Sequence, residues 1–423
     1  MNKQSLSLPD KAKLQTLKGF RDFLPKEAKK RQFALEIIKD TFKLFGFEPL
    51  ETPALEYKEV LAGKYGEEGN KLMYSFTDQG GREVALRYDQ TVPTARVLAS
   101  YYQELPSPFR RYQIQPAWRA EKPQSGRFRE FLQCDADIFG SSSPLADAET
   151  LALANSIYKN LGFKNFKIYI NDRKILFELM NYASIPDNLQ LSTISLIDKL
   201  DRKSKDKVSE ELKELGLENS SINHLFHHLE EAKPTDNLKK VLEESKKLGL
   251  REENLLFQAR LARGLDYYTG TIFEIKIEDY KGGSVAGGGR YDNLINQLSG
   301  VDIPAVGFAI GFDRTLEAME QFKLLPSEDR REGALVTIFN KDLVENSATI
   351  AQTLRENNIP TEYFPDDSQD LRKQLKYADK KNVKWLIVIG PEEVEKDIVI
   401  LKNLETGHQE ELKLKDVVIL LSS

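Results

Sequence analysis

The segment from Arg119 to Asp137 restricts the fold of this 423-residue chain more than any other stretch. A polar loop, Lys122 to Gly126, divides it, and the alternation of side chains after the loop predicts a β-strand that completes a hairpin. Side chains two residues apart share one face of a strand, and that face would carry Arg127, Arg129, Phe131, Gln133, Asp135 and Asp137. Such a face suits nucleotide binding, with Phe131 against the base and arginines on phosphates. A solvated face of ion pairs is the alternative, but it leaves Phe131 unexplained.

A second informative run extends from Ala259 to Gly270 and combines Arg263 with the pair Tyr267 and Tyr268. Arginine is permanently charged and can bind carboxylate or phosphate oxygens through two parallel hydrogen bonds. Two tyrosines can hold a small polar ring through their hydroxyls and faces. The run therefore suits a pocket in which an anion reacts beside an aromatic or imidazole ligand. A strand that leads into a turn, with both tyrosines as packing, is an alternative that this run alone leaves open.

Three successive glycines, Gly287 to Gly289, stand in the middle of the run from Ser284 to Asp292. Glycine allows positive φ angles and a close approach of a ligand to the backbone. We expect a helix to begin near Tyr291, and helix N-termini attract anions. The dinucleotide-binding pattern G-x-G-x-x-G, with an acid beyond it, is absent. A plain turn would also account for the glycines.

The composition restricts the class of protein but not its chemistry. With 40% hydrophobic residues, the chain can bury cores for two or three domains. One cysteine excludes an internal disulfide and offers no zinc cluster. The polar N-terminus lacks a signal-peptide hydrophobic region, and no apolar run approaches a membrane span, so we expect a cytoplasmic protein with no membrane partner. The net charge of −5 argues against general RNA binding and leaves room for local basic patches.

The pattern of elements divides the chain into four regions. Residues 1–171 mix amphipathic helices with alternating strands, whereas 172–255 are rich in Lys, Glu and Leu with helical spacing, which predicts a helical insertion. Strands resume in 256–325, so the motifs of the first and third parts flank the insertion. After a charged linker, 331–423 alternate strands with helices, which predicts parallel βαβ units.

These motifs resemble, in the same order, those of the class II aminoacyl-tRNA synthetases. Residues 119–137 resemble the second class II motif and 307–314 the third. Further segments resemble the first motif, the amino-acid-binding loop and the two peptides characteristic of histidyl-tRNA synthetases: Gln32–Pro53, Leu86–Thr91, Arg263–Tyr268 and Ala286–Asp292. The resemblance implies an α+β fold, with a class II antiparallel sheet, helices, a helical insertion, and a C-terminal α/β domain similar to anticodon-binding domains.

The resemblance also implies an activity, which is the ATP-dependent ligation of L-histidine to tRNA(His) through histidyl-adenylate. Implied partners are tRNA(His), L-histidine, ATP and a second copy of the chain in a homodimer. Mg²⁺ would arrive bound to ATP, and no metal site made by the protein itself is expected, because Arg263 takes the place of a metal at the α-phosphate in this family pattern. Two alternatives remain: a non-catalytic paralogue such as the regulatory subunit of ATP phosphoribosyltransferase, and a histidine- or tRNA-sensing module.

Individual roles follow from the same resemblance. The catalytic residues would be Arg119 and Arg263. The histidine-binding residues would be Asp89, Gln90, Thr91, Arg119, Gln133, Asp137, Arg263, Tyr267 and Tyr268. The ATP-binding residues would be Arg119, Glu121, Arg127, Phe131 and Arg314. For Asp137 a structural alternative stays open, which is pairing with a neighbouring arginine on the charged strand face.

Overall fold

The computed structural model describes residues 14–62, 72–122, 128–263, 267–327 and 331–422. The chain divides into two compact units, with the boundary between Leu325 and Pro326. Within the described parts of the chain, no helix is long and apolar enough to cross a membrane.

The first unit is built around an eight-stranded sheet and a separate three-stranded sheet. Its strands, in chain order, are β1 (Glu48–Pro49), β2 (Leu55–Tyr57), β3 (Ser75–Thr77), β4 (Glu83–Leu86), β5 (Phe109–Trp118), β6 (Glu130–Phe139), β7 (Phe166–Asp172), β8 (Leu255–Phe257), β9 (Thr271–Ile277), β10 (Ala286–Arg290) and β11 (Ala305–Gly311). The large sheet has the order β1-β5-β6-β11-β10-β9-β7-β8 and the small one β2-β4-β3. Pairing in the large sheet is antiparallel except at its two edges, β1 with β5 and β7 with β8.

The helices of the first unit fall into two groups. In chain order they are α1 (Pro25–Leu44), α2 (Lys58–Ala62), α3 (Thr91–Tyr101), α4 (Pro144–Asn160), α5 (Arg173–Tyr182), α6 (Asp187–Ile197), α7 (Lys205–Glu214), α8 (Asn219–Glu231), α9 (Asp236–Lys247), α10 (Leu294–Ser299) and α11 (Phe312–Gln321). Helices α4 and α11 pack against the large sheet, and α1 packs against α4. Helices α5 to α9 follow one another between β7 and β8, in the region where the sequence predicts an insertion.

Local sequence explains where the helices between β7 and β8 begin and end. Asp172, Ser204 and Thr235 each cap a helix N-terminus, with the side chain accepting a hydrogen bond from a backbone N–H of the first turn. Gly216 and Gly249 follow the C-termini of α7 and α9 with φ of +100° and +88°, a conformation that glycine adopts without steric cost. These side chains and glycines therefore separate one helix from the next.

The second unit is a five-stranded sheet with helices. Its elements are β12 (Glu332–Val336), α12 (Val344–Glu356), β13 (Thr361–Tyr363), α13 (Leu371–Lys381), β14 (Val383–Val388), α14 (Pro391–Lys396), β15 (Val399–Asn403), β16 (Gln409–Leu412) and α15 (Leu414–Ser422). Strands β13, β12 and β14 are parallel, as the alternation of strands and helices predicts, and β15 and β16 extend the sheet in antiparallel pairing.

The two faces of the large sheet differ in polarity because the strands alternate. Register places Cys134, Ala136, Phe308, Ile310, Phe273 and Ile275 on one face, and all are buried in the hydrophobic core of the first unit. The opposite face, here called the polar face, carries Arg111, Gln113, Gln115, Gln133, Asp135, Asp137 and Glu274, with Gly287, Gly289, Gly307 and Gly311 between them. On β6 the solvated face of ion pairs that the sequence left as an alternative is not found, since Gln133, Asp135 and Asp137 are all buried.

The glycine run lies in a central strand and not in a turn. Gly287 to Gly289 belong to β10, their φ angles are not positive, and the next helix begins at Leu294 rather than near Tyr291. A β-carbon on Gly288 would lie 2.1 Å from the Gly307 carbonyl oxygen of β11. The glycines are therefore required by close contacts within the sheet.

Candidate active site

Asp137 lies at the centre of the polar face and has two partners from the chain. The Arg111 guanidinium, which is fully buried on β5, lies 2.6 Å from Asp137 Oδ2, and the Tyr291 hydroxyl donates a hydrogen bond to Oδ1. Burial raises the pKa of Asp137, and Arg111 and Tyr291 oppose that shift. On the next strand Gly307 leaves room for the carboxylate, since a β-carbon there would lie 1.9 Å from Oδ1.

Gln133 and Asp135 lie on the same face of β6, on the side towards the hairpin loop. Gln133 Nε2 donates a hydrogen bond to Asp135 Oδ2 at 2.9 Å. Burial, with a further contribution from the Asp137 charge, raises the pKa of Asp135 to about 7, although Arg111 acts in the opposite direction. The polar face therefore holds an acid that titrates near neutral pH, beside a cation and a second acid.

Arg263 reaches the polar face from the segment that precedes β9. Its Nη1 donates to Glu274 Oε2 at 3.0 Å and to Ser284 Oγ at 3.2 Å. Gly287 provides the space for this guanidinium, because a β-carbon there would lie 2.3 Å from Arg263 Cζ. The close approach expected at the glycine run is thus an approach of an arginine side chain.

The segment that leads to Arg263 is held from two sides. Asn171, at the end of β7, donates from Nδ2 to the carbonyl oxygens of Ala259 and Leu261 at 2.8 and 3.0 Å. From the helical region, Asp198 accepts a hydrogen bond from the Ala262 N–H at 3.1 Å. These anchors fix the backbone that carries Arg263.

A row of alternating charges extends from Arg263 to the helical region. Glu274 also lies 2.7 Å from Lys276 Nζ, and Lys276 pairs in turn with Asp201. Asp201 lies 2.7 Å from Arg260 Nη2. Each carboxylate in this row is shared between two cations, so the row fixes the position of Glu274 beneath Arg263.

Arg119 lies directly after β5, at the hairpin. Its Nε donates to the Tyr88 carbonyl oxygen at 3.1 Å, and its guanidinium carbon lies 4.9 Å from the centre of the Phe131 ring. Glu121 is exposed, and its carbonyl oxygen accepts from Arg129 Nε at 3.0 Å. Arg127 lies outside the described residues.

Arg314 approaches the same region from the first turns of α11. Its Nη1 donates to the Ser284 carbonyl oxygen at 2.9 Å, and the Ser284 hydroxyl contacts Arg263. Ser284 therefore links two of the arginines that the sequence assigns to phosphates.

The loop from Tyr88 to Gln90 lies against the hairpin and leads into α3, which begins at Thr91. Gln90 is fully buried and its Nε2 donates to the carbonyl oxygens of Gln115 and Gln133 at 2.8 and 3.2 Å. Asp89 Oδ1 accepts from the Val92 N–H at 3.2 Å. Gln90 thus ties the loop to β5 and β6, which brings Asp89 close to the polar face.

Three tyrosines cluster at the end of the polar face near Asp137. The ring centres of Tyr267 and Tyr268 are 4.2 Å apart, and those of Tyr268 and Tyr291 are 6.5 Å apart. Tyr268 is buried, and burial raises the pKa of its hydroxyl. Tyr267 and Tyr268 border a cavity of about 510 Å³, which is lined in addition by Arg173, Phe177 and Asn293.

Sequence reasoning missed Arg111, Glu274 and Tyr291, which contact predicted site residues. The alternation Arg111-x-Gln113-x-Gln115 was a usable signal, because a buried strand rarely carries three such side chains on one face. Glu274 had no comparable signal. Among the described residues, no group of three or more His, Cys, Asp or Glu side chains is arranged to hold a metal ion.

Comparison with known proteins gives the same family over nearly the whole chain. Residues 19–315 match the family model described as histidyl-tRNA synthetase, and 333–423 match that of an anticodon-binding domain. A histidine–tRNA ligase of Gloeobacter violaceus is 40% identical over 452 aligned residues, which cover 95% of this chain and 97% of that protein. The crystal structure of histidyl-tRNA synthetase from Nostoc sp. PCC 7120 has a TM-score of 0.84 at 28% identity and covers 96% of this chain and 98% of that chain.

A third similar structure shares the fold alone. It is described as an ATP phosphoribosyltransferase regulatory subunit/histidyl-tRNA synthetase from Bacillus halodurans, with a TM-score of 0.73, 23% identity and coverage of 88% of this chain and 97% of that chain. The α+β fold expected from the sequence is confirmed by the Nostoc structure and by the match to the anticodon-binding domain. On the family model and the identity to curated relatives, the chain belongs to the histidyl-tRNA synthetase family.

Proposed function

We propose that this chain is a histidine–tRNA ligase that activates L-histidine with ATP and transfers it to tRNA(His). The observation that carries the proposal is the polar face. Buried acids of β6 lie on it, and Arg119, Arg263 and Arg314 approach it from three separate segments. The chain belongs to a family in which such an arrangement would bind ATP and histidine. A regulatory paralogue has less support, because the chain matches curated ligases over nearly its full length, including the anticodon-binding domain.

In the first step the histidine carboxylate attacks the α-phosphorus of ATP. A new P–O bond forms, the bond from the α-phosphorus to the bridging oxygen breaks, and diphosphate leaves. Negative charge grows on the phosphoryl oxygens, so fixed cations stabilise the transition state more than the ground state. We assign Arg119 and Arg263 to the α-phosphate and carboxylate, and Arg314 and Arg127 to the outer phosphates, with Mg²⁺ entering as part of the ATP substrate.

Adenine would stack on Phe131, whose ring already lies beside the Arg119 guanidinium. Glu121 would accept a hydrogen bond from the adenine amino group. In the second step a ribose hydroxyl at the tRNA 3′ end attacks the carbonyl carbon of histidyl-adenylate, and AMP leaves. The second unit would hold the anticodon stem, in accordance with its match to anticodon-binding domains.

Histidine would lie along β6, with its ammonium near Asp89, Thr91 and Gln133. Its imidazole would lie near Asp137 and the pair Tyr267 and Tyr268, with Gln90 holding the loop. Hydrogen bonds to both ring nitrogens would exclude analogues that lack one of them, since a buried partner would stay unpaired. Because Asp137 also pairs with Arg111, the imidazole would share the Asp137 carboxylate with that arginine.

We further propose a homodimer. Three apolar side chains on the three-stranded sheet, Leu55, Tyr57 and Phe76, are 39%, 51% and 50% exposed, and they follow the segment that resembles the first class II motif. A self-complementary apolar patch is what a two-fold interface requires. A cytoplasmic location and the division of the first unit into 1–171, 172–255 and 256–325 are part of the same proposal.

Aminoacylation tests the function. Purified protein, ATP with Mg²⁺, labelled histidine and tRNA(His) transcript should give acid-precipitable label that is released by mild base, as an ester is. Omission of ATP is the first control, and a transcript with an exchanged anticodon is the second. Absence of charging by a folded, histidine-binding protein would refute the ligase assignment and favour a sensing or regulatory role.

A further inference from the structure

Asp135 has no role in the mechanism described so far, yet it lies between Gln133 and Asp137 on the polar face. Its Oδ2 accepts a hydrogen bond from Gln133 Nε2 at 2.9 Å. Its Oδ1 is buried and has no hydrogen-bond partner among the residues that the structure describes, and the same is true of Gln133 Oε1. Two buried acceptor atoms from hydrogen-bonded neighbours are thus unmatched.

Unmatched buried acceptors are rare in proteins because each loses its hydration without a replacement donor. Two of them side by side indicate a donor that comes from outside the chain. An ammonium group has three N–H donors and no acceptor, and its positive charge would compensate the negative charge of a buried carboxylate. A neutral hydroxyl or amide would match one acceptor but would leave the charge uncompensated.

Asp135 also determines how Gln133 is oriented. An ionised carboxylate can only accept, so the amide nitrogen of Gln133 must face Asp135 and its Oε1 must face away. The hydrogen bond therefore holds Oε1 in the position of an acceptor for a ligand. Asp135 then has two functions, which are to orient Gln133 and to offer its own Oδ1.

The neighbouring acid on the same strand has charged and polar partners from the chain: the Tyr291 hydroxyl donates to Asp137 Oδ1, and Arg111 forms an ion pair at Oδ2 in a geometry that makes no hydrogen bond. The negative charges of Asp137 and Asp89 raise the pKa of Asp135, and the positive charge of Arg111 lowers it. A cation placed at Asp135 would therefore be stabilised by more than one carboxylate.

We propose that Asp135, together with Gln133, binds the α-ammonium group of the histidine substrate. The inference rests on the proposed function and adds a substrate contact to it. It assigns the two acids of β6 to different parts of the substrate, with Asp135 at the ammonium and Asp137 towards the ring.

Two ligands separate the ammonium from the rest of histidine. L-Histidine and 3-(imidazol-4-yl)propanoate share the ring and the carboxylate, and only the first carries the ammonium. Their affinities for wild type and Asp135→Asn can be compared by isothermal titration calorimetry. We expect the affinity for L-histidine to fall about 10- to 100-fold, as for the loss of a charged hydrogen bond, with less than about threefold change for the propanoate.

Two further variants control for structural effects. Asp147→Asn neutralises a buried acid on the opposite face, where Asp147 pairs with Arg290. It should lower the melting temperature and leave the ratio of the two affinities unchanged. Asp135→Ser removes the carboxylate with a different side chain, so the ratio should fall as it does in Asp135→Asn, which keeps the test available if that variant does not fold.

Two outcomes would overturn the inference: equal losses for both ligands, or unchanged affinity for both. Equal losses would place Asp135 at the ring or in the scaffold. The proposed function fails on a different result, which is a wild-type protein that gives no ATP–diphosphate exchange with histidine. An active wild type whose Asp135→Asn and Asp135→Ser variants keep the ratio refutes the inference alone.

Discussion

Two buried arginine–aspartate pairs lie on opposite faces of the large sheet, and they differ in how completely their hydrogen-bonding groups are used. On the helix-packed face, Arg290 of β10 binds Asp147 at the start of α4 and also donates to the carbonyl oxygens of Ser141 and Ser143 and to Asp292. On the polar face, Arg111 pairs with Asp137, and its Nε has no hydrogen-bond partner among the described residues.

The difference separates a structural pair from a pair in a binding site. A buried pair contributes to stability only when further hydrogen bonds satisfy its remaining donors and acceptors, as they do around Arg290. Around Arg111 the unmatched buried atoms among the described residues include its own Nε and Nη2, Asp137 Oδ2, Gln133 Oε1 and Asp135 Oδ1. The chain therefore completes one pair by itself and leaves the surroundings of the other to be completed by a ligand.

The largest effect is expected at the arginine that reaches the polar face from outside the sheet. Arg263→Ala should lower the rate of ATP–diphosphate exchange about 1,000- to 100,000-fold, because a single arginine at a transferring phosphoryl group contributes on that scale. Histidine affinity should change much less, since the charge acts mainly in the transition state.

Arg260→Ala is the matched control for that variant. Arg260 belongs to the same segment and pairs with Asp201, 2.7 Å away, so its removal tests the segment without removing the cation at the polar face. Exchange by Arg263→Ala within about tenfold of wild type, ~1.4 kcal/mol in barrier, would contradict the assigned role.

The second effect should appear in stability and not in activity. Asp147→Ala leaves Arg290 buried without its carboxylate, and breaking such a pair from one side costs about 3–5 kcal/mol in the free energy of unfolding. Denaturant unfolding would measure this loss. Below the unfolding transition, the KM values for histidine and ATP should remain those of wild type, and a selective rise in one of them would break the distinction between the two faces.

The smallest effect is a dependence of ligand selectivity on pH. Burial raises the pKa of Asp135 from 3.8 to about 7, so the carboxylate loses its proton, and becomes able to attract an ammonium, as the pH rises through that value. The preference of wild type for L-histidine over 3-(imidazol-4-yl)propanoate should therefore increase between about pH 6 and pH 8. The ring titrates in both ligands, at a higher pH in the propanoate because it lacks the neighbouring ammonium, so the ratio is taken between the affinities of the neutral-ring forms.

Asp135→Asn provides the control for the pH experiment, since asparagine does not titrate. Its ratio of affinities should be flat over the same range. Arg111, Asp137 and Asp89 also act on Asp135 and remain in the variant. A ratio in the variant that rises as steeply as in wild type would assign the titration to another group.

The sequence predicted which side chains of β6 share a face, because that depends only on the period of a strand. It did not predict that this face is buried, since burial depends on which elements cover it. Arg111 lies opposite Asp137 because of the register between β5 and β6. The sequence of one strand does not determine that register, so this pair was not predicted. From the sequence alone, the glycine run could equally have formed a turn. The contacts that exclude side chains at these glycines come from Arg263 and β11, which are distant in the chain or in another strand.

The family motifs named individual site residues, whereas the strand and helix patterns gave only the face on which a residue lies. Of the residues assigned from the family resemblance, Gln133 and Asp137 lie on the polar face and Arg263 contacts Glu274 of that face, whereas the Glu121 side chain is exposed. Glu274 and Asp198, which hold Arg263 and its segment, come from a strand and from the helical region and belong to no motif. Such supporting contacts require the folded chain.

The central claim is that the polar face selects histidine for activation. ATP–diphosphate exchange with each standard amino acid in turn tests it most directly, because the reaction reports adenylate formation without tRNA. We predict exchange with L-histidine and none above background with any other amino acid, and loss of the histidine signal in Arg263→Ala. Exchange driven by a different amino acid, or none with histidine by a folded protein that binds ATP, would contradict the account.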